Sequence, residues 1–190
     1  MVKSMRAAFR KFLWRPIRRL VNDRRAVSAV EFALVLPVML TLYIGGNQVS
    51  QALTAAREVD HVASTVGDLV AQSKTLSNND MTNILNAAAS VMAPFPTSLL
   101  RIKVSGITFD ANTVAKVTWS DQFQDTALTV GSTVTSTMPT ALQLPNTFLV
   151  VAEVHYAYTP YIGYVLTGTF DLTQKLYFYP RDSSTITRTS

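Results

Sequence analysis

Apolar positions change rhythm several times along this chain. Residues 27–44 read VSAVEFALVLPVMLTLYI, an apolar run of 18 residues interrupted by one charge, Glu31. That length is at the lower limit of a bilayer-spanning helix. Beyond Gly45 and Gly46 the pattern becomes amphipathic. Val49, Leu53, Ala56, Val59, Ala63, Val66 and Val70 recur every three or four positions, which predicts a helix with one apolar face. The polar face carries Arg57, Glu58, His61 and Asp68. A single helix over 27–72 would run about 70 Å, half in lipid and half as a stem. The alternative is a separate stem helix after a break at Gly45-Gly46.

A second helix is predicted over 79–92. Ser77 and Asp80 form a capping pair before an apolar face of Met81, Ile84, Leu85, Ala88, Val91 and Met92, and Pro94 and Pro96 end it. The rhythm then shortens to two. Leu100–Phe109 and 114–119 flank the turn Asp110-Ala111-Asn112-Thr113, a hairpin in which Ile102 and Val104 share one face and Ala115, Val117 and Trp119 another. Residues 120–147 are rich in Thr and Ser with few core positions, and read as a long excursion. The strongest strand signal is Phe148–Tyr158, whose even positions are all apolar or aromatic while Glu153 and His155 face the other way. Residues 175–179 read as the last strand and 181–190 as a frayed, flexible tail. The expected fold is therefore α+β: a long N-terminal helix packed on a small antiparallel sheet of about four strands.

Charge divides the chain unevenly. Residues 1–25 hold nine Lys or Arg against Asp23 alone, a balance of +8. The remainder holds eight basic and eleven acidic residues, a balance of −3, so the net +5 belongs to the N-terminal segment. A basic flag beside an apolar run, followed by a mildly acidic domain, argues against nucleic acid as partner. By the positive-inside rule, cations including Arg18, Arg19, Arg24 and Arg25 hold the N-terminus in the cytoplasm and send the rest across the membrane. The expected organisation is a basic cytoplasmic leader (1–26), a transmembrane helix (27–46), an extracytoplasmic stem and α/β domain (47–180) and the tail (181–190).

Two residues in the span carry chemistry. An ionised carboxylate near the centre of a membrane helix costs on the order of 3 kcal/mol. Glu31 lies only about 6 Å inside the apolar run, so hydration at the interface is the plain reading and pairing with a cation of another chain the functional one. Pro37 removes one helical donor and predicts a kink.

The run Arg24-Arg25-Ala26-Val27-Ser28-Ala29-Val30-Glu31-Phe32-Ala33-Leu34-Val35-Leu36-Pro37 resembles the signature of TadE-like and TadG-like proteins of the tight-adherence (Tad/Flp) branch of type IV pilus systems. Members share a basic stretch, a small-residue junction, a Glu-Phe or Glu-Tyr pair opening one apolar helix, and a following proline. The resemblance implies a pilin-like fold and a minor pilin (pseudopilin) or assembly protein, working in pilus biogenesis, adhesion and secretion through protein contacts. Its implied partners are the bacterial inner membrane, other pilins and assembly proteins, and a prepilin peptidase. It implies cleavage five residues before the Glu, between Ala26 and Val27, with Ala26 in place of the family's usual Gly. Glu31 and Phe32 would then register neighbouring subunits. The C-terminal stretches FLVVAEVHYAYTP and YFYPRDSSTI are similar, more softly, to the ends of TadE-like chains.

Other chemistry is sparse. The chain has no Cys and two His, so no disulfide framework or thiolate metal site is expected. His155 beside Glu153 reads as a surface hydrogen bond, and His61 as part of the polar stem face. No Gly-rich phosphate loop is present, and neither an enzyme, a cofactor, a metal nor a small-molecule substrate is expected. Tyr156, Tyr158, Tyr161, Tyr164, Phe170, Tyr177, Phe178 and Tyr179 read first as core and strand-edge packing, and second as a contact surface. Two rival functions are a membrane-anchored periplasmic binding module outside any pilus, and a soluble exported domain cut near residues 45–56.

Overall fold

The computed structural model describes residues 24–189. The chain divides into two compact units, Met1–Gln48 and Val49–Ser190. The described residues of the first unit are all helical and begin α1, Arg24–Ala71. Gly45, Gly46 and Pro37 all lie within α1, so the alternative of a break at the glycine pair is not adopted.

In the second unit, α1 buries Ala55, Val59, Val62, Ala63, Val66 and Val70 against the sheet. This stripe lies slightly to one side of the predicted one, leaving Val49 and Leu53 exposed. A short strand β1 (Thr75–Leu76) leads into α2 (Asn78–Val91), which adds Met81, Leu85, Ala88 and Ala89 to the same core. The predicted capping pair forms a reciprocal box. Asp80 N–H donates to Ser77 Oγ at 3.2 Å, and Ser77 N–H donates to Asp80 Oδ2 at 3.0 Å. Hydrogen bonds from the Ser77 side chain and backbone hold the Asp80 carboxyl below its usual range.

Four strands follow: β2 (Leu100–Phe109), β3 (Ala115–Phe123), β4 (Phe148–Tyr158) and β5 (Phe170–Phe178). They form an antiparallel sheet in the order β3-β2-β4-β5, so the expected α+β fold, a long helix with a four-stranded antiparallel sheet, is the one observed. Within the predicted hairpin turn, Asp110 Oδ1 accepts the N–H groups of Asn112 at 2.8 Å and Val114 at 2.9 Å. β5 begins five residues before the expected start of 175. Asp171, Thr173, Gln174 and Lys175 make this edge strand polar enough to hide its period.

Three expectations are corrected. Ala115 and Trp119 do not share a face: the β2–β3 register slips between Gly106 and Ile107, pairing Gly106 with Trp119 but Ile107 with Val117. The extra residue, Thr118, reverses the alternation. Trp119 therefore joins the core under the helices, while Ala115 joins a second cluster on the opposite face.

That second cluster corrects the reading of residues 120–147. The excursion lays Met138, Val134 and Leu142 over Ile107, Phe109, Leu149 and Val151. One end of the outer sheet face is thus covered, which explains why β4 is apolar on both sides there.

The C-terminal segment is not a frayed tail. Thr187–Arg188 forms β6, paired in parallel with β1. Ile186 is buried, and its carbonyl accepts the Trp119 indole N–H at 2.9 Å. Burying one Ile and satisfying a buried indole supplies a local reason for the segment to dock.

Candidate functional site

The segment that the sequence singles out lies at the start of α1. Its local cause is composition: from Val27 the run is apolar and holds good helix formers, with β-branched residues tolerated. Arg18 and Arg19 lie outside the described residues. Arg24, Arg25 and Ala26 have helical backbones. Val27, Glu31, Phe32 and Pro37 are all exposed on the chain itself. Glu31 stands four positions after Val27, so their side chains follow one another on one helix face about 6 Å apart along the axis.

Pro37 is accommodated inside α1. Its own carbonyl accepts the Thr41 hydroxyl at 2.8 Å, a local partner for a backbone group beside the missing donor. Phe32, Leu34, Leu42 and Tyr43 are likewise exposed. Among the described residues one helix is long and apolar enough to cross a membrane, and none of its apolar window is buried by the rest of the chain. For a helix in water such a surface would be a liability; in lipid it is the ordinary state.

A second constellation stands on the uncovered end of the outer sheet face. Glu153 and His155 project from β4, Thr173 and Lys175 from β5, in the register Glu153↔Lys175 and His155↔Thr173. His155 Nε2 lies 3.0 Å from Glu153 Oε1, and the Thr173 hydroxyl 2.9 Å from His155 Nδ1. Lys175 Nζ stands 3.6 Å from Glu153 Oε2. Burial works to raise the Glu153 pKa, but the His155 hydrogen bond and the Lys175 and Lys103 charges outweigh it and hold the carboxyl below its usual range. Burial, with the Glu153 charge added, pushes the neighbouring Tyr177 hydroxyl up.

The expected Glu153–His155 hydrogen bond is present; Thr173 lies before the expected start of β5, and Lys175, although inside it, meets Glu153 only through the β4–β5 register, which no local pattern contains. Beside them runs an open polar cleft of Arg101, Lys103, Asp125, His155 and Asp171, in which Lys103 Nζ and Asp125 Oδ2 pair at 3.4 Å. Hydroxyl, imidazole and carboxylate follow one another here. Each bond crosses or runs along regular strands, so the arrangement works as a clamp tying β5 to the sheet. Among the described residues, no three acidic or His side chains are grouped to hold a metal.

The aromatic residues divide. Tyr156 and Tyr158 are buried, each edge-on to Phe95 with centroids 6.3 and 6.2 Å away. Tyr161, Tyr164, Phe170 and Tyr179 are exposed.

Comparison with known proteins places a match on the helix. Residues 26–68 match the family of TadE-like proteins, the family that the run 24–37 resembles. The matched stretch includes Ala26, Val27, Glu31, Phe32 and Pro37, and extends along α1 into the second unit. No curated protein and no solved structure matches the chain.

Proposed function

We propose, from a TadE-like segment on an exposed apolar helix, that this protein is a minor pilin or assembly protein of a Tad/Flp-type pilus. The family match over residues 26–68 and the exposed apolar helix support a membrane-anchored, Tad-pilus-associated chain with one candidate spanning segment among its described residues. TadE-like pilus proteins are structural. The finer reading places the basic leader in the cytoplasm and residues 47–190 on the periplasmic side of the inner membrane. The work is then assembly, adhesion and secretion through protein contacts, without a cofactor.

The observation that carries the reading is the exposure of Glu31 and Phe32 within the matched segment. Cleavage between Ala26 and Val27 by a prepilin peptidase would place a new ammonium group one helical turn from Glu31. In an array of parallel helices, the Glu31 carboxylate of one subunit meets the ammonium of the next, and each offsets the other's desolvation. Removal of the basic leader frees the helix to leave the bilayer.

The test is the N-terminus of the protein from its native membranes, by intact mass and terminal sequencing. A chain starting at Val27 supports processing. A chain starting at Met1 overturns it and leaves a permanent anchor. A start near residues 47–56 overturns both. Glu31→Ala, compared with Glu31→Gln, separates charge from size. Unchanged partner co-purification and piliation in both would remove the registration role.

A further inference from the structure

The loop between β4 and β5 is an apolar surface without an assigned role. Residues 159–170, TPYIGYVLTGTF, contain no charged side chain. Gly163 and Gly168 take positive φ values of 58° and 94°, which turn the loop tightly. Tyr161 is 96% exposed, Ile162 57% and Tyr164 66%. Exposed isolated apolar residues are ordinary on a protein surface, but several together on one loop mark a contact.

Where this loop stands within the second unit follows from its neighbours. Gln174 donates to Asp60 at 2.7 Å, the Phe178 ring lies over Gly67, and the Arg181 backbone N–H donates to Ala71 O at 2.9 Å. β5 and the residues after it therefore run in the same direction as α1. Four residues upstream of Gln174, Phe170 stands about 13 Å nearer the start of the unit, the rise of about nine helical residues. That is the level of Gln51, close to Val49, the first residue of the unit. Tyr158 pairs with Phe170, so the whole loop projects from the end at which the chain arrives from its apolar span. Leu99 and the Arg101 side chain, also exposed, stand at the same end, because Leu100 pairs with Tyr156.

We infer that the loop's Tyr161, Ile162 and Tyr164 rest in the headgroup region of the bilayer that the helix spans. The inference depends on the membrane-anchored reading of α1. Tyrosine has an apolar ring and a hydroxyl that stays wet, which suits it to the membrane interface, and Ile162 between the two tyrosines supplies apolar area. An uncharged loop crosses into the headgroups without the desolvation cost of an ion, while the Arg101 guanidinium at the same end suits lipid phosphate. Continuity with the spanning segment favours lipid over a protein partner: the tether holds this end of the unit, and not the opposite one, at the bilayer surface. Such a contact orients the domain on the membrane before any assembly.

The chain has no native Cys, so single cysteines carry one fluorophore each. Ile162→Cys and Tyr164→Cys in the full chain, reconstituted in phosphatidylcholine–phosphatidylglycerol vesicles, are compared with Leu42→Cys in the span and Lys74→Cys beyond α1. Quenching by headgroup-level spin-labelled lipid should dim the labels at 162 and 164 and spare the label at 74, with acyl-chain quenchers dimming the label at 42. Labels at 162 and 164 that behave like 74, with 42 still lipid-quenched, overturn the inference and leave the anchor intact. A label at 42 quenched only from water overturns both. Shielding of 162 and 164 that appears only at high protein-to-lipid ratio assigns the loop to a subunit contact and overturns the lipid role.

Discussion

Arg188 grips Asp121 across the fold with two hydrogen bonds, Nε to Oδ2 at 2.8 Å and Nη2 to Oδ1 at 2.6 Å. The same guanidinium donates to Leu76 O at 3.0 Å and to Asn78 Oδ1 at 3.0 Å. One C-terminal residue thereby joins β3, β1 and the start of α2. The Asp121 hydrogen bond, working against burial, raises the Arg188 pKa. The pair is largely shielded, with side chains 18% and 20% exposed, so it is screened less than a surface ion pair.

Arg188→Ala should therefore cost about 1–3 kcal/mol, since it leaves a half-buried carboxylate and the Leu76 carbonyl with fewer partners. Arg188→Lys should recover only part of this, because an ammonium does not reproduce the two-pronged geometry. Urea unfolding in detergent of chains carrying Trp14→Phe, so that Trp119 is the remaining tryptophan fluorophore, checks both.

Ile186→Ala should destabilise by about 2–4 kcal/mol, as expected for a truncated core residue. A chain with residues 183–190 removed should lose at least as much and expose the Trp119 indole, shifting its emission to the red. Unchanged emission and stability would mean the C-terminal segment is not docked in solution.

A Cβ on Gly106 would sit 2.4 Å from the Trp119 indole and 2.6 Å from the Phe148 ring. Gly106→Ala should cost about 1–3 kcal/mol by overpacking, because the indole is held by Ile186 and has little freedom to give way. At Gly67 the clash is with the Phe178 ring of the edge strand. Gly67→Ala should be destabilising alone and less so when combined with Phe178→Ala, a coupling that a double-mutant cycle reads directly.

Acid should loosen the β4–β5 clamp. The Glu153 carboxyl has a folded-state pKa below its unfolded value. Its contribution is therefore complete above the unfolded value and is lost as pH falls through the lower, folded one. Glu153→Gln should be less stable than the natural chain at pH 7, and the gap should close as pH falls below the ordinary Glu value. Urea midpoints of both proteins across that range test the sign.

The sequence by itself determined the elements whose causes lie in a few neighbouring residues. The apolar run, the amphipathic stem, the Ser77–Asp80 box and strands β2 and β4 all follow from local periodicity or capping, which a window of ten to twenty residues contains. The TadE-like signature is likewise contiguous. Tertiary structure alone decided the features built from distant pairs. The bulge at Thr118 depends on how β3 meets β2, and reversed a face that alternation had assigned. Docking of the C-terminus depends on Trp119 and Ile186, 67 residues apart, and on Leu76 and Arg188, 112 apart. Residues 120–147 look coreless until Met138 finds the apolar outer face of β4. The same division runs through the aromatic residues. Their composition is alike along residues 156–179, but Tyr156 is buried because a helix-side core and Phe95 receive it, while Tyr161 is exposed because it follows Tyr158, the last paired residue of β4, and lies in the loop beyond the sheet.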